Sequence, residues 1–258
     1  MSTQVSPDLP RTDDLMAVRP WLLRLLRPLV EFGFRRRWKI SLHGTEHLPV
    51  DGPAILAPNH VGVIDGPLLI AVIKRDSYAL AKHELFTGVV GRILLLIGQV
   101  PIDRWRIDTY AIRRCVQLLR DGQLLIVYPE GNRGPGEMTH SRNGLAYLAL
   151  VTGVPIVPVA LLGTREPGQT TSELPRRGAP IHVVYGKPFS VPKQPWPRRK
   201  DDVADWTEHI RIKLAAHVQD AQTTADLPLP GPPKPKPDGP DGNLPRDERS
   251  DERPEKPK

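Results

Sequence analysis

The chain has a single cysteine, Cys115, among 258 residues, so no disulfide can form within it and a reducing compartment suits it. Across residues 110–119 that cysteine falls in phase with Ala111, Leu118 and Leu119 on a helical spacing, which marks a small core residue and not a reactive thiol. The sequence also lacks the run of about 20 apolar residues that an α-helical membrane span needs. Its longest candidate, residues 89–100, is too short and is interrupted by Arg92 and Gln99. Residues 1–15 carry no small-residue cleavage pattern, so synthesis in the cytosol without a secretory leader is the expectation. None of the eight histidines stands beside a cysteine pair, and no metal is expected. His83 and His140 read as surface or loop residues.

What is present is an uneven charge. The formal net charge is +7, and the first 40 residues hold eight Lys or Arg against four acids, while the last 35 nearly balance. Residues 16–38 read as an amphipathic helix, with Val18, Leu22, Leu25, Leu26 and Leu29 on one face and Arg24, Arg27, Glu31 and Arg35 opposite. Pro28 should kink or split it. Arg35, Arg36, Arg37 and Lys39 cluster beside Phe32, Phe34 and Trp38, a composition suited to the headgroup zone of an anionic membrane surface. The basic balance alone would also suit nucleic acid, but the charge accompanies leucines and aromatics and the core holds no recognition motif, so nucleic acid is not expected. Residues 1–39 are thus read as a membrane-contacting segment, placing the protein on the cytoplasmic face of the cell membrane as a peripheral or monotopic protein; a helix packed on its own domain with a solvated basic face is the alternative.

From residue 40 the pattern alternates short apolar runs with stretches of helical length. Residues 55–57, 124–128 and 156–161 suit buried strands, and 99–102 can form another. Residues 66–74, 84–97, 108–121, 145–152 and 201–222 have helical spacing, with Asp108 as an N-cap, and Gly122 and Gly153 as stops. This alternation predicts one α/β domain over residues 40–222, a mostly buried mixed sheet flanked by helices. From residue 223 the chain holds ten of its 30 prolines and almost no large apolar side chains, so residues 223–258 are read as a disordered Pro-rich tail.

Three polar clusters fall at predicted strand ends, where an α/β fold exposes functional side chains. The first is Asn59-His60 with Asp65 five residues on, just before a helix. Histidine titrates near neutrality and suits proton abstraction, and a carboxylate at that distance can orient the ring across a turn. A histidine and an aspartate that merely cap the helix would give the same spacing. The second cluster is Ile102-Asp103-Arg104. The third runs from Tyr128 through Pro129, Glu130, Gly131, Asn132 and Arg133 to Gly136, where glycines permit close backbone approach to a ligand and Arg133, like Arg104, offers a charged fork to a phosphate.

These residues, in this order, resemble the 1-acylglycerol-3-phosphate acyltransferases of the larger glycerophospholipid acyltransferase group. The resemblance covers about residues 40 to 190 and four motifs. Asn59, His60 and Asp65 match an Asn-His-x-Ser-x-x-Asp block, with Gly62 where the family usually has serine. Ile102-Asp103-Arg104 resembles a block ending in Asp-Arg. Residues 129–133 are similar to Pro-Glu-Gly-Thr-Arg, with Asn132 in place of threonine, and residues 154–159 resemble a proline-bearing strand. The resemblance implies a glycerol-3-phosphate acyltransferase-like fold and an O-acyltransferase of phospholipid synthesis. His60 and Asp65 would be the catalytic pair, and Asn59, Arg104, Glu130, Gly131 and Arg133 would hold the substrate. Acyl-CoA or acyl-carrier protein would be the co-substrate with no other cofactor, and the membrane lipid acceptor would be 1-acyl-glycerol-3-phosphate. Another lysophospholipid, glycerol 3-phosphate, or a non-catalytic lipid-binding role are the alternatives.

Overall fold

The computed structural model describes Pro10, Thr12 and residues 21–103, 108–195 and 197–235. Seven strands form one sheet: β1 (Lys39–His43), β2 (Ala54–Pro58), β3 (Ser77–Lys82), β4 (Val100–Ile102), β5 (Leu124–Ile126), β6 (Ile156–Leu162) and β7 (Pro180–Tyr185). Their spatial order is β1-β7-β6-β2-β5-β3-β4. Every neighbouring pair is parallel except β6 with β7, so the sheet is mixed. The central strands β2, β5 and β6 are buried along their whole length. That is why they read as continuous apolar runs and not as alternating ones: helices cover both faces.

On one face pack α4 (Thr109–Arg120), α5 (Gly144–Thr152) and α6 (Lys200–Ala225), joined in one core with Ile55, Leu125, Ile156 and the buried Cys115. Burial pushes the Cys115 thiol up to about 12, consistent with an inert core position. The Asp108 carboxylate accepts from the Ala111 N–H at 2.9 Å and caps α4. α5 has six of its nine residues buried, as expected of a helix held between other helices and the sheet. The other face carries α1 (Trp21–Arg37) and α2 (Asp65–Val72) over Leu56, Ile126, Val157 and Ile181.

Three expectations change. The helix read over residues 84–97 is a short 3-10 turn, His83–Leu85, followed by α3 (Gly88–Leu96). Gly88 has φ +57, and a side chain at Gly91 would meet the Phe86 carbonyl carbon at 2.2 Å, so the chain turns sharply there before the helix starts. α1 continues through Pro28 without splitting. It is anchored at one end by Arg24 and Arg27 on Asp76 and just beyond the other by the Trp38 indole N–H on the Pro175 carbonyl. The part of its expected span before Trp21 lies outside the described residues.

The third change concerns the C-terminus. α6 ends at Ala225, and the chain reverses at Asp226, which is left-handed at φ 48. Leu227 and Leu229 then pack on the core, and Pro230 is buried. The tail expected from residue 223 is therefore ordered as far as 235, because two leucines among the prolines supply an apolar anchor. Residues 236–258 lie outside the described residues.

Candidate active site

β2 ends in Pro58 and the chain passes through residues 59–64 into α2, whose first residue is Asp65. Within that turn the His60 Nδ1 lies 2.7 Å from Asp65 Oδ2, and the same oxygen accepts the N–H groups of Val61 and Gly62 at 2.8 and 2.9 Å. A carboxylate oxygen accepts, so Nδ1 carries the ring proton and Nε2 keeps its lone pair. Asp65 is fully buried, whereas the His60 side chain retains about a fifth of its exposure, 19%. Burial lowers the pKa of His60 from its ordinary value; the hydrogen bond and charge of Asp65 act in the opposite sense. The ring is thus a neutral base at neutral pH. Tyr128 lies against it with ring centroids 4.1 Å apart, and burial raises the tyrosine hydroxyl well above its usual range.

The turn is compact because it can be. A side chain at Gly62 would meet the Thr164 carbonyl oxygen at 2.4 Å, so the loop after β6 presses directly onto the His60 loop. The serine of the family pattern would not fit here without movement of that backbone.

The other expected substrate residues separate into two groups. Gly131 and Arg133 line the large cavity onto which His60 opens. Gly131 has φ +70, a left-handed conformation that favours glycine, with the flexible Arg142 side chain packed beside it. Arg133 donates to the Thr171 carbonyl at 2.8 Å, and burial lowers its pKa. Asn59 and Glu130 face the protein interior instead, which corrects their expected substrate contact. The Asn59 amide donates to the carbonyls of Gly136 and Leu161 and its oxygen accepts the Leu161 N–H, bracing the turn against β6. Glu130 is 2% exposed and accepts the His60 backbone N–H at 3.0 Å. Burial pushes its carboxyl up to about 7, against the pull of that hydrogen bond. Arg104 lies outside the described residues.

The cavity has a volume of about 2220 Å³, well beyond the roughly 300–1,000 Å³ of ordinary small-ligand pockets. His60, Lys82 and Arg133 mark its polar part, while Leu26 of α1, Ile70 of α2, Ile93 of α3 and Ile97 just after it supply an apolar wall. A long apolar chain joined to an anionic head suits such a lining. Among the described residues, no three His, Cys, Asp or Glu side chains gather as a metal site. His83 is exposed on its 3-10 turn, and His140 lies on a loop with Nε2 3.2 Å from the Glu130 carbonyl.

Sequence reasoning passed over two residues of this site. Tyr128 was read only as part of its motif. Arg165, 1% exposed, donates to the Val61 carbonyl and shows no sequence signal beyond following a strand.

Comparison with known proteins bears on this geometry. Residues 39–162 match the Acyltransferase family model. A chloroplastic 1-acyl-sn-glycerol-3-phosphate acyltransferase of Arabidopsis thaliana is 31% identical over 157 residues, 59% of this chain and 44% of that one. The 1-acyl-sn-glycerol-3-phosphate acyltransferase of Bacillus subtilis is 25% identical over 180 residues, 69% of this chain and 87% of that one. This chain spans less than half the length of the plant relatives it matches, 44% and 45%. In fold it resembles the crystal structure of the 1-acyl-sn-glycerophosphate acyltransferase PlsC from Thermotoga maritima, with a TM-score of 0.59 at 22% identity, covering 81% of this chain and 84% of that one.

Proposed function

We propose that this chain, whose residues 39–162 match the Acyltransferase family model, moves a fatty acyl group from a thioester to the free hydroxyl of 1-acyl-glycerol-3-phosphate. The observation that carries the reading is the His60–Asp65 pair, a neutral, oriented base at the edge of a cavity with both apolar and cationic walls. The names of the relatives support the acceptor. Nε2 takes the hydroxyl proton as the acceptor oxygen attacks the thioester carbonyl. The tetrahedral intermediate then expels the thiolate, which takes the proton back from the imidazolium, giving an ester and a free thiol. General-base assistance of this kind contributes about 10²–10⁴-fold. No acyl-enzyme forms, and the reaction needs no cofactor beyond the acyl-CoA or acyl-carrier protein donor. Arg133 and Lys82 face the acceptor phosphate.

The acceptor lives in a membrane, and the surface around the cavity fits one. Trp21, Leu25, Leu29 and Phe32 of α1 point outward, as do Val89, Val90, Leu95 and Leu96 of α3. No helix among the described residues is long and apolar enough to cross a bilayer. On α1, Arg24 and Arg27 pair with Asp76 and Leu23 is buried, while Leu25 and Leu29 stay exposed, an apolar surface that its own domain does not cover. With Arg35, Arg36 and Arg37 at its end, α1 would lie in the headgroup zone of the anionic cytoplasmic leaflet. Nucleic acid is not a partner in this reading.

The test is transfer of a labelled acyl chain from CoA to lysophosphatidate in vesicles. The wild-type protein is expected to make phosphatidate and folded His60→Ala to lose at least about 10²-fold in rate. Undiminished transfer by His60→Ala would rule out the mechanism.

A further inference from the structure

Arg165 follows β6 and Gly163-Thr164, and its guanidinium is buried without a carboxylate partner among the described ion pairs. A buried charge is costly unless its hydrogen bonds are satisfied. Here every one goes to a backbone carbonyl: Nε to Val61 at 3.0 Å, Nη1 to Gln169 at 3.2 Å, and Nη2 to both Gly134 at 3.2 Å and Gly231. Four carbonyls, one from Arg165's own loop and three from separate segments, converge on one rigid fork.

Two of those carbonyls belong to the peptides that hold the catalytic pair. Val61 donates its N–H to Asp65 and gives its carbonyl to Arg165. Gly134 donates its N–H to the His60 carbonyl at 2.8 Å and likewise gives its own carbonyl to Arg165. The fourth carbonyl, that of Gly231, belongs to the segment after α6. That segment is tied down on either side of it. Leu227 lies 3.2 Å from where a Cβ of Gly163 would stand, and the Leu229 N–H donates to the Gln222 side chain. The Lys234 N–H donates to the Gln169 carbonyl, which Arg165 also holds. Gly136 shows how tight the junction is: a Cβ there would meet Val61 at 2.3 Å, Asn59 at 2.9 Å and Leu229 at 3.4 Å. Pro233 and Pro235 then reach the wall of the same cavity as His60 and Arg133.

We propose that residues 226–235 are a strap that sets the geometry of the His60–Asp65 pair through Arg165, making Arg165 a positioning residue and the strap a working part of the site. The proposal rests on the acyl-transfer reading for its kinetic consequence, though not for the geometry. A displacement of about 1 Å at a reacting group costs on the order of 10²-fold in rate, so a connection of this kind reads out in kcat more than in acceptor KM.

The test uses the full chain carrying Arg165→Gln, Leu229→Asp or both, each checked for folding by circular dichroism and thermal melting. Each single variant is expected to lower kcat by about 10- to 100-fold, with acceptor KM within about threefold. The double variant should be no worse than the worse single one, because both break one connection. Multiplied losses in the double variant, or an unchanged kcat in either folded single variant, would overturn the proposal. Should the glutamine variant fail to fold, Arg165→Lys keeps the buried charge while removing the fork, and the same outcomes apply. A second measurement needs no turnover: the ring ¹⁵N shifts of His60 in the free protein. Leu229→Asp is expected to erase the Nδ1–H tautomer signature, and an unaltered spectrum in that folded variant counts against the strap. If the wild type transfers no acyl chain to any acceptor, the functional reading falls while this spectrum still decides the positioning role.

Discussion

The His60 turn and the outer faces of α1 and α3 are built on opposite principles. The turn is dense: one oxygen of Asp65 takes three hydrogen bonds, Glu130 holds the His60 N–H, and Gly62 leaves room for the Thr164 backbone alone. The helix faces are open, with Leu25, Leu29, Phe32 and Val89 each more than 60% exposed. Geometry matters to the first and area to the second. Chemistry needs a base held to a fraction of an ångström, whereas contact with a lipid surface needs only apolar side chains and positive charge in the right region.

That contrast can be broken first at Asp65. Asp65→Asn keeps the size of the side chain but no longer fixes the Nδ1–H tautomer, and activity in the vesicle assay should fall by about 10³-fold or more while vesicle binding stays unchanged. The converse variant is Leu25→Asp with Leu29→Asp. Burying a leucine is worth about 1.5–3 kcal/mol, so flotation with anionic vesicles should show binding weakened by at least about a hundredfold. Turnover of a soluble short-chain acceptor should be spared. If that turnover fell with binding, the separation between the two regions would not hold.

Smaller effects sharpen the density of the turn. Gly62→Ser restores the residue usual in the family but forces a Cβ against Thr164, and overpacking of this kind costs about 1–3 kcal/mol, read as a lower urea midpoint. Glu130→Gln should do the reverse. The carboxyl is raised from 4.5 to about 7 by burial, so the native state binds more protons than the unfolded chain between those values. Its contribution is present below pH 4.5 and is lost as pH rises through 7. The glutamine variant escapes that loss and should be about 3 kcal/mol more stable at pH 8, with no gain at pH 4. His60 has the opposite sign. Its folded pKa is lowered, so its contribution is present above 6.5 and falls away on acidification, and the acid limb of kcat/KM should lie below pH 6.5.

Strands β2, β5 and β6 and the cap at Asp108 were legible in the sequence, since buried parallel strands are continuous apolar runs and an N-cap is a local signal. β1, β3 and β7 were not read as strands. β1 and β4 end the sheet, and β1, Lys39–His43, is only partly buried, so its pattern is weak. The order of the strands, with β2 between β5 and β6, is set by long-range pairing and has no local signature.

At the site, the residue types and spacing of Asn59, His60, Asp65, Glu130, Gly131 and Arg133 were visible in the sequence, because a base, an orienting carboxylate and a glycine-rich turn leave local marks. Their division of labour was a matter of tertiary structure. Asn59 and Glu130 look the same in sequence as residues that touch a ligand, and only the arrival of Leu161 and the His60 N–H beside them turns both inward. The strap and Arg165 were invisible for the same reason. A proline-rich composition signals the absence of a core, and two leucines become an anchor only where the fold presents a surface for them. An arginine becomes a junction only where distant carbonyls converge on it.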